Sequence, residues 1–214
     1  MRRYDPGSSN NPYREASKLI LSVSSRKIAL KGLRDFAKSR FSEFLKELGF
    51  ERNGDSLISY QYRRRLEQRH DIVEIQFDKY KRPRFILNFG KVPAQGIIDS
   101  YGRFVKADKT RISQLVKQGR LYAYPKFTFL ENWFGVSWIT IWPPEKAAEK
   151  QIEKLIRLFP HVDHWFNTDA IRSSNVYIWK WPHNAPGAAK KAMQAKGMWP
   201  PHGWTEEDEK MLRM

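Results

Sequence analysis

Residues 57–89 read LISYQYRRRLEQRHDIVEIQFDKYKRPRFILNF, and the alternation inside this stretch decides the fold. Ile58, Tyr60 and Tyr62 step by two, as do Val73, Ile75 and Phe77, which is the period of a strand with one buried face. Leu57 to Tyr62, Ile72 to Phe77 and Arg84 to Phe89 are therefore predicted strands, and their short connections predict antiparallel neighbours. Two connections hold most of the local charge: Arg63, Arg64, Arg65, Leu66, Glu67, Gln68, Arg69 and His70, then Asp78, Lys79, Tyr80, Lys81, Arg82 and Pro83. Between Gln61 and Lys91, nine Lys or Arg face four Asp or Glu, a local net of +5.

Upstream, Leu30, Leu33, Ala37, Phe41, Phe44 and Leu48 recur at steps of three and four, predicting an amphipathic helix from about Ser25 to Leu48. Lys27, Lys31, Arg34 and Lys38 share that spacing and form a basic stripe beside the apolar seam, with Glu43 and Glu47 on the other flank. Gly49 stands where a helix C-cap belongs, Phe50 can fold back on the helix end, and Asn53, Gly54 and Asp55 predict a turn. Downstream, a short helix is expected over about Lys109 to Gln118, with Ile112, Leu115 and Val116 inward. Strands are expected at Phe127 to Phe129, Phe134 to Trp142 and Val176 to Trp181, and a helix from Glu145 to Phe159 after the Pro143, Pro144 stop. The resulting expectation is one α+β domain over residues 14–181, an antiparallel sheet packed against a long N-terminal helix and a second helix. A mobile N-terminus (1–13), a basic linker (182–203) and a short terminal helix (204–214) capped by Thr205 would flank it.

The middle of the chain resembles the bacterial family catalogued as domain of unknown function 4304. The resemblance rests on Leu48-Gly49-Phe50-Glu51-Arg52-Asn53-Gly54, on Asp71 to Phe77, and on Phe85-Ile86-Leu87-Asn88-Phe89-Gly90. A Trp-containing segment at Trp133 to Trp138 and the helix after it extend the likeness to about residues 26–166. It implies an α+β domain with an antiparallel sheet, and no activity, so it transfers no catalytic residue. The tail segment Gly203 to Leu212 is similar to the opening of a Myb-type DNA-binding repeat, but with ten residues after Trp204 a capped terminal helix is the expectation.

Charge directs the functional expectation. The 39 Lys and Arg against 23 Asp and Glu leave a net of +16 over 214 residues, and a polyanion that releases counterions on binding would offset it. The expected partner is nucleic acid, DNA or RNA, held without catalysis by this chain alone or as a subunit of a nucleoprotein complex. Phosphates would meet Arg63, Arg64, Arg65, Arg69, Lys79, Lys81, Arg82 and Arg84 on the loops and Lys27, Lys31, Arg34 and Lys38 on the helix, while Tyr80 offers a stacking face. A protein-binding immunity or adaptor module is the alternative, and a metal-dependent nuclease built on Asp55, Glu74 and Gln76 comes third. His161, Asp163 and His164 lack the further ligands a metal site needs, so no cofactor or metal is expected. The polar N-terminus, the absence of a long apolar run and the absence of cysteine point to a soluble, cytoplasmic chain with no membrane partner.

Overall fold

The computed structural model describes residues 22–99, 103–115, 117–125, 132–137, 142–180, 191 and 194–197. Its first helix, α1 (Val23–Phe36), starts where the Ser22 hydroxyl accepts the Ser25 N–H at 3.1 Å, then runs through a π-helical turn at Ala37–Phe41 into α2 (Ser42–Glu47). Ala29, Leu33, Ala37, Phe41 and Leu45 are all fully buried, at steps of four. Such steps overshoot a 3.6-residue turn by about 40° each, so a straight helix would carry the seam off the core. The wider π turn turns less per residue and brings Phe41 and Leu45 back. The carbonyl of Ala37 inside that turn accepts the Ser42 and Tyr62 hydroxyls, at 3.2 and 3.4 Å. The helix ends as its glycine predicts: Gly49 is left-handed (φ 81°), and the N–H groups of Gly49 and Phe50 return to the carbonyls of Lys46 and Leu45.

The chain then builds a sheet of strands β1 (Glu51–Asp55), β2 (Ser59–Arg65), β3 (Arg69–Phe77) and β4 (Arg84–Pro93). A ribbon of β5 (Ile97–Ile98) and β6 (Phe104–Val105) follows, and β7 (Lys117–Leu121) rejoins the sheet beside β4. The two-residue β8 (Phe134–Gly135) pairs the start of β4, and β9 (Val176–Lys180) closes the far edge on β7. Every pairing is antiparallel. Helices α3 (Pro144–Leu158) and α4 (Pro160–Thr168) join α1 and α2 on one face, which makes this an α+β domain. Gly32 lets α1 approach α3, since a Cβ there would stand 3.1 Å from the Ala148 Cβ. Aromatic side chains fill the layer between: Phe159 meets Phe41, Phe44 and Phe50 edge-on, and Phe166 and Trp165 meet Phe89.

Several expectations change. The first basic connection is mostly strand: Arg63, Arg64 and Arg65 are rungs of β2 opposite Ile72, Asp71 and His70, leaving only residues 66–68 as a turn. The expected turn at Asn53 to Asp55 is a bulge in β1, where the register shifts between Arg52 and Gly54, and the real turn lies at residues 56–58. In place of a helix over Lys109 to Gln118 stand two 3-10 turns, Ala107–Lys109 and Ile112–Gln114, separated by an extended Thr110, with Lys117 and Gln118 already in β7. Ile112 and Leu115 do point inward, covering Ile72 and Val92 on the sheet face away from the helices. Of the expected strand Phe134 to Trp142, Phe134 and Gly135 form β8 and residues 138–141 lie outside the described residues, and α4 was not anticipated. Phe127 to Phe129, residues 1–13 and 204–214, and all of 182–203 except 191 and 194–197 lie outside the described residues. Among the described residues no helix is long and apolar enough to cross a membrane.

The core leaves no room at Gly119, where a Cβ would overlap Cε2 and Cζ of Phe89 and crowd Ile178. Replacing Gly119 by Ala should lower stability by about 1–3 kcal/mol, the usual penalty of overpacking, measured as a shift in urea midpoint with unchanged slope.

Candidate nucleic-acid interface

The thirteen residues expected to contact nucleic acid fall into three groups with different fates. In the first, the arginines are structural. Arg63 is 1% exposed and points to the face away from the helices, where its guanidinium donates to the carbonyls of Ala107 and Thr110. Burial pulls its pKa down, with Asp108 opposing. Arg64 lies on the helical face and donates from Nε and Nη2 to Asp71 Oδ2 at 3.0 and 2.8 Å, and its Nη1 stands 2.8 Å from Asp163. Its guanidinium packs over Phe50 and Phe166, 4.7 and 5.7 Å from the ring centres. Arg69 takes the other oxygen of Asp71 at 2.9 Å, and Arg65 bridges Glu51 and Asp108.

The second group is divided by Asp78. This buried carboxylate accepts the Tyr80 N–H at 2.7 Å and the Nε–H groups of Arg82 and Arg84 at 2.9 and 2.7 Å, so it organises the β3–β4 turn and occupies two of its cations. Burial alone would raise the Asp78 carboxyl, but the hydrogen bonds from Arg84 and Tyr80 and the charges of Arg84 and Arg82 outweigh it and hold the pKa below its ordinary value. The turn thereby presents the rest outward. Tyr80 is 70% exposed, flanked by Lys79 and Arg82 at 5.0 and 5.4 Å from its ring centre, and Lys81 is held left-handed at φ 59°.

The third group meets what is left of the second. Lys27, Lys31, Arg34 and Lys38 line a groove of about 530 Å³ together with Arg26, Lys81, Val23, Leu30 and Tyr60. Among the described residues Asp35 is the single carboxylate on it, and it engages Lys31 at 2.5 Å, which raises the pKa of Lys31. Arg34 anchors the groove wall by donating to the Leu57 carbonyl at 3.0 Å while lying 5.3 Å from the Phe77 ring centre. Lys38 stands 5.3 Å from the Tyr60 ring, whose other neighbour is Arg52 at 4.8 Å. Among the described residues, Arg26, Lys27, Lys38 and Lys81 have no carboxylate partner. Sequence reasoning missed Arg26, although it stands one residue before Lys27 on the same helix turn.

The nuclease arrangement does not assemble. Asp55 pairs with Tyr60 and is clamped by Arg52 through two bonds of 2.8 and 2.7 Å on the helical face. Glu74 and Gln76 project from the opposite face, beside Asn88. His164 hydrogen-bonds Thr168 on α4 and Asp163 belongs to Arg64, and no group of three or more possible metal ligands occurs among the described residues. No family model, no curated protein and no solved structure matches this chain, and the resemblance of residues 26–166 to domain of unknown function 4304 rests on its motifs alone.

Two outcomes check these assignments. Asp71 is fully buried, so Asp71→Ala removes charge-assisted hydrogen bonds from Arg64, which keeps Asp163, and from Arg69, and should cost about 1–3 kcal/mol in urea unfolding. Because the folded pKa of Asp78 is depressed, its contribution to stability is complete above the ordinary carboxylate range and is lost as pH falls through the depressed value. Asp78→Asn should therefore be less stable than the parent at neutral pH, with the difference shrinking below about pH 4.

Proposed function

We propose that this chain binds nucleic acid without catalysis, holding phosphates in the groove beside α1. The observation that carries the reading is the groove itself: among the described residues, six cations from two distant parts of the chain around one carboxylate. A phosphate backbone is the ligand that such a surface neutralises best, because each neutralised phosphate releases a condensed counterion. The exposed Tyr80 adds an aromatic face one residue from Lys81 of the groove. The arginines of β2 and β3 have no part in it, since their carboxylates and carbonyls already occupy them. Lys27, Lys31, Arg34, Lys38, Lys81 and Arg26 form the proposed binding set, with Lys79 and Tyr80 beside it.

Fluorescence anisotropy with labelled single- and double-stranded DNA and RNA, at several salt concentrations, tests this. Log affinity should fall linearly with log salt. Changing Lys27, Lys38 and Lys81 together to Ala should reduce the slope by about 0.7–0.9 for each phosphate that is no longer neutralised. Arg65→Ala, at an exposed ion pair outside the groove, should leave the slope unchanged. Negligible binding at low salt would refute the reading.

A further inference from the structure

We infer that the sheet face opposite the helices is a second site, one that takes unpaired nucleobases of a single strand by stacking. The inference rests on the nucleic-acid reading and extends it from phosphates to bases. Across five strands, Gln61, Glu74, Asn88, Arg120 and Tyr177 stand directly opposite one another in a single row. Their neighbours Val73, Ile75, Leu87 and Leu121 belong to the helical core, so alternation puts the whole row on the other face.

Near β9 this face is aromatic. Tyr122, Tyr177 and Trp179 form a ladder with ring centres 6.3 and 6.1 Å apart and planes within 21° and 23° of parallel. All three are partly exposed. The Arg120 guanidinium lies 5.0 Å from the Trp179 ring centre and donates from Nε to Asn88 Oδ1 at 3.0 Å, which fixes it against the ladder. Asn88 donates to Gln76 at 3.0 Å and to Glu74 at 3.5 Å, so the polar half of the row is held in place.

Aligned rings beside a cation are the chemistry that binds bases without regard to sequence, whereas a duplex keeps its base faces covered. Ordinary core packing does not explain the arrangement. Among the described residues, the apolar cluster on this face consists of Ile72, Val92, Ala107, Ile112 and Leu115, with Ile97 packed against it, and includes none of the three rings. On this row Arg120 offsets Glu74, and it is the strong positive charge of the chain as a whole that suits a polyanion rather than an apolar partner.

The test compares single strands of roughly ten nucleotides, of RNA and of DNA, with duplexes of the same sequence, on the full chain. Trp179→Ala and Tyr177→Ala should each weaken single-strand binding about 10-fold, within the range expected for one stacked base, while duplex affinity stays within about 2-fold. Trp179→Phe should restore most of the loss. Alanine variants with a native circular dichroism spectrum and unchanged single-strand affinity would overturn the inference, as would equal losses for both ligands. Should an alanine variant not fold, photocrosslinking of bromouracil-containing strands to the unaltered chain decides the matter. Adducts on Tyr122, Tyr177 or Trp179 support the site, and adducts confined to the α1 groove refute it. Binding of neither strand nor duplex defeats the parent reading, whereas duplex binding with a silent ladder defeats only this one.

Discussion

Asp71 has no solvent exposure, yet it carries a carboxylate, and both of its oxygens are claimed by arginines of the same hairpin. Through it Arg64 is fixed where it can also meet Asp163 of α4 and the Leu48 carbonyl at the end of α2, with its guanidinium laid on Phe50 and Phe166. One side chain thus ties the hairpin to two helices. A buried pair of this kind adds little net stability over an apolar one, because desolvation offsets the attraction. What it specifies is how the helices dock on the hairpin. Register is held by the tyrosines: slipping β2 by one residue against β3 would still bring an arginine, Arg63 or Arg65, opposite Asp71, but would turn Tyr60 and Tyr62 out of the helical core.

The same constraint divides the basic residues of the chain into two populations. Those on β2 and β3 are tied to Asp71, Glu51, Asp108 and Asp163 or to backbone carbonyls, and Asp78 takes Arg82 and Arg84. The formal net of +16 is therefore expressed elsewhere, and α1 is one such place. There Asp35 is the only acid on the groove among the described residues, while Glu43 lies a full turn or more along the helix axis. Local runs of Arg consequently mark where the fold is held, whereas among the described residues Lys27 and Lys38 of the helix stand without a carboxylate partner.

This division explains what was legible in the sequence. Alternation at Tyr60, Tyr62, Val73, Ile75 and Phe77 and the glycine stop at Gly49 are local signals, and the strands and the helix end follow them. The helix stripe was equally legible from its spacing. The run Arg63 to Arg65 was not, because its strand character depends on Asp71 seven residues past Arg64 and on carbonyls at Ala107 and Thr110 more than forty residues past Arg63. Lys81 joins the groove only once the meander has folded back on α1, which no local pattern encodes. For α4 a signal did exist: Phe159, Val162, Trp165 and Phe166 step by three, three and one along a buried stripe, but Pro160 reads as a stop when it is in fact the first residue of a new helix.

The far face of the sheet follows from two glycines as much as from its polar residues. Gly90 makes space for Leu115, because a Cβ there would overlap Leu115 Cδ1, and so the segment after β6 can settle over Ile72 and Val92. Gly119 makes space on the helical side for Phe89, which keeps β7 flat against β4 and sets Arg120 opposite both Asn88 and Tyr177. Asn88 is then satisfied before any ligand arrives, accepting from Arg120 and donating to Gln76 and Glu74. A ligand that had to replace those bonds would lose as much as it gained. One that stacks on rings already aligned beside them displaces none, and for that reason the chemistry of this face favours the flat surface of a base over its hydrogen-bonding edge.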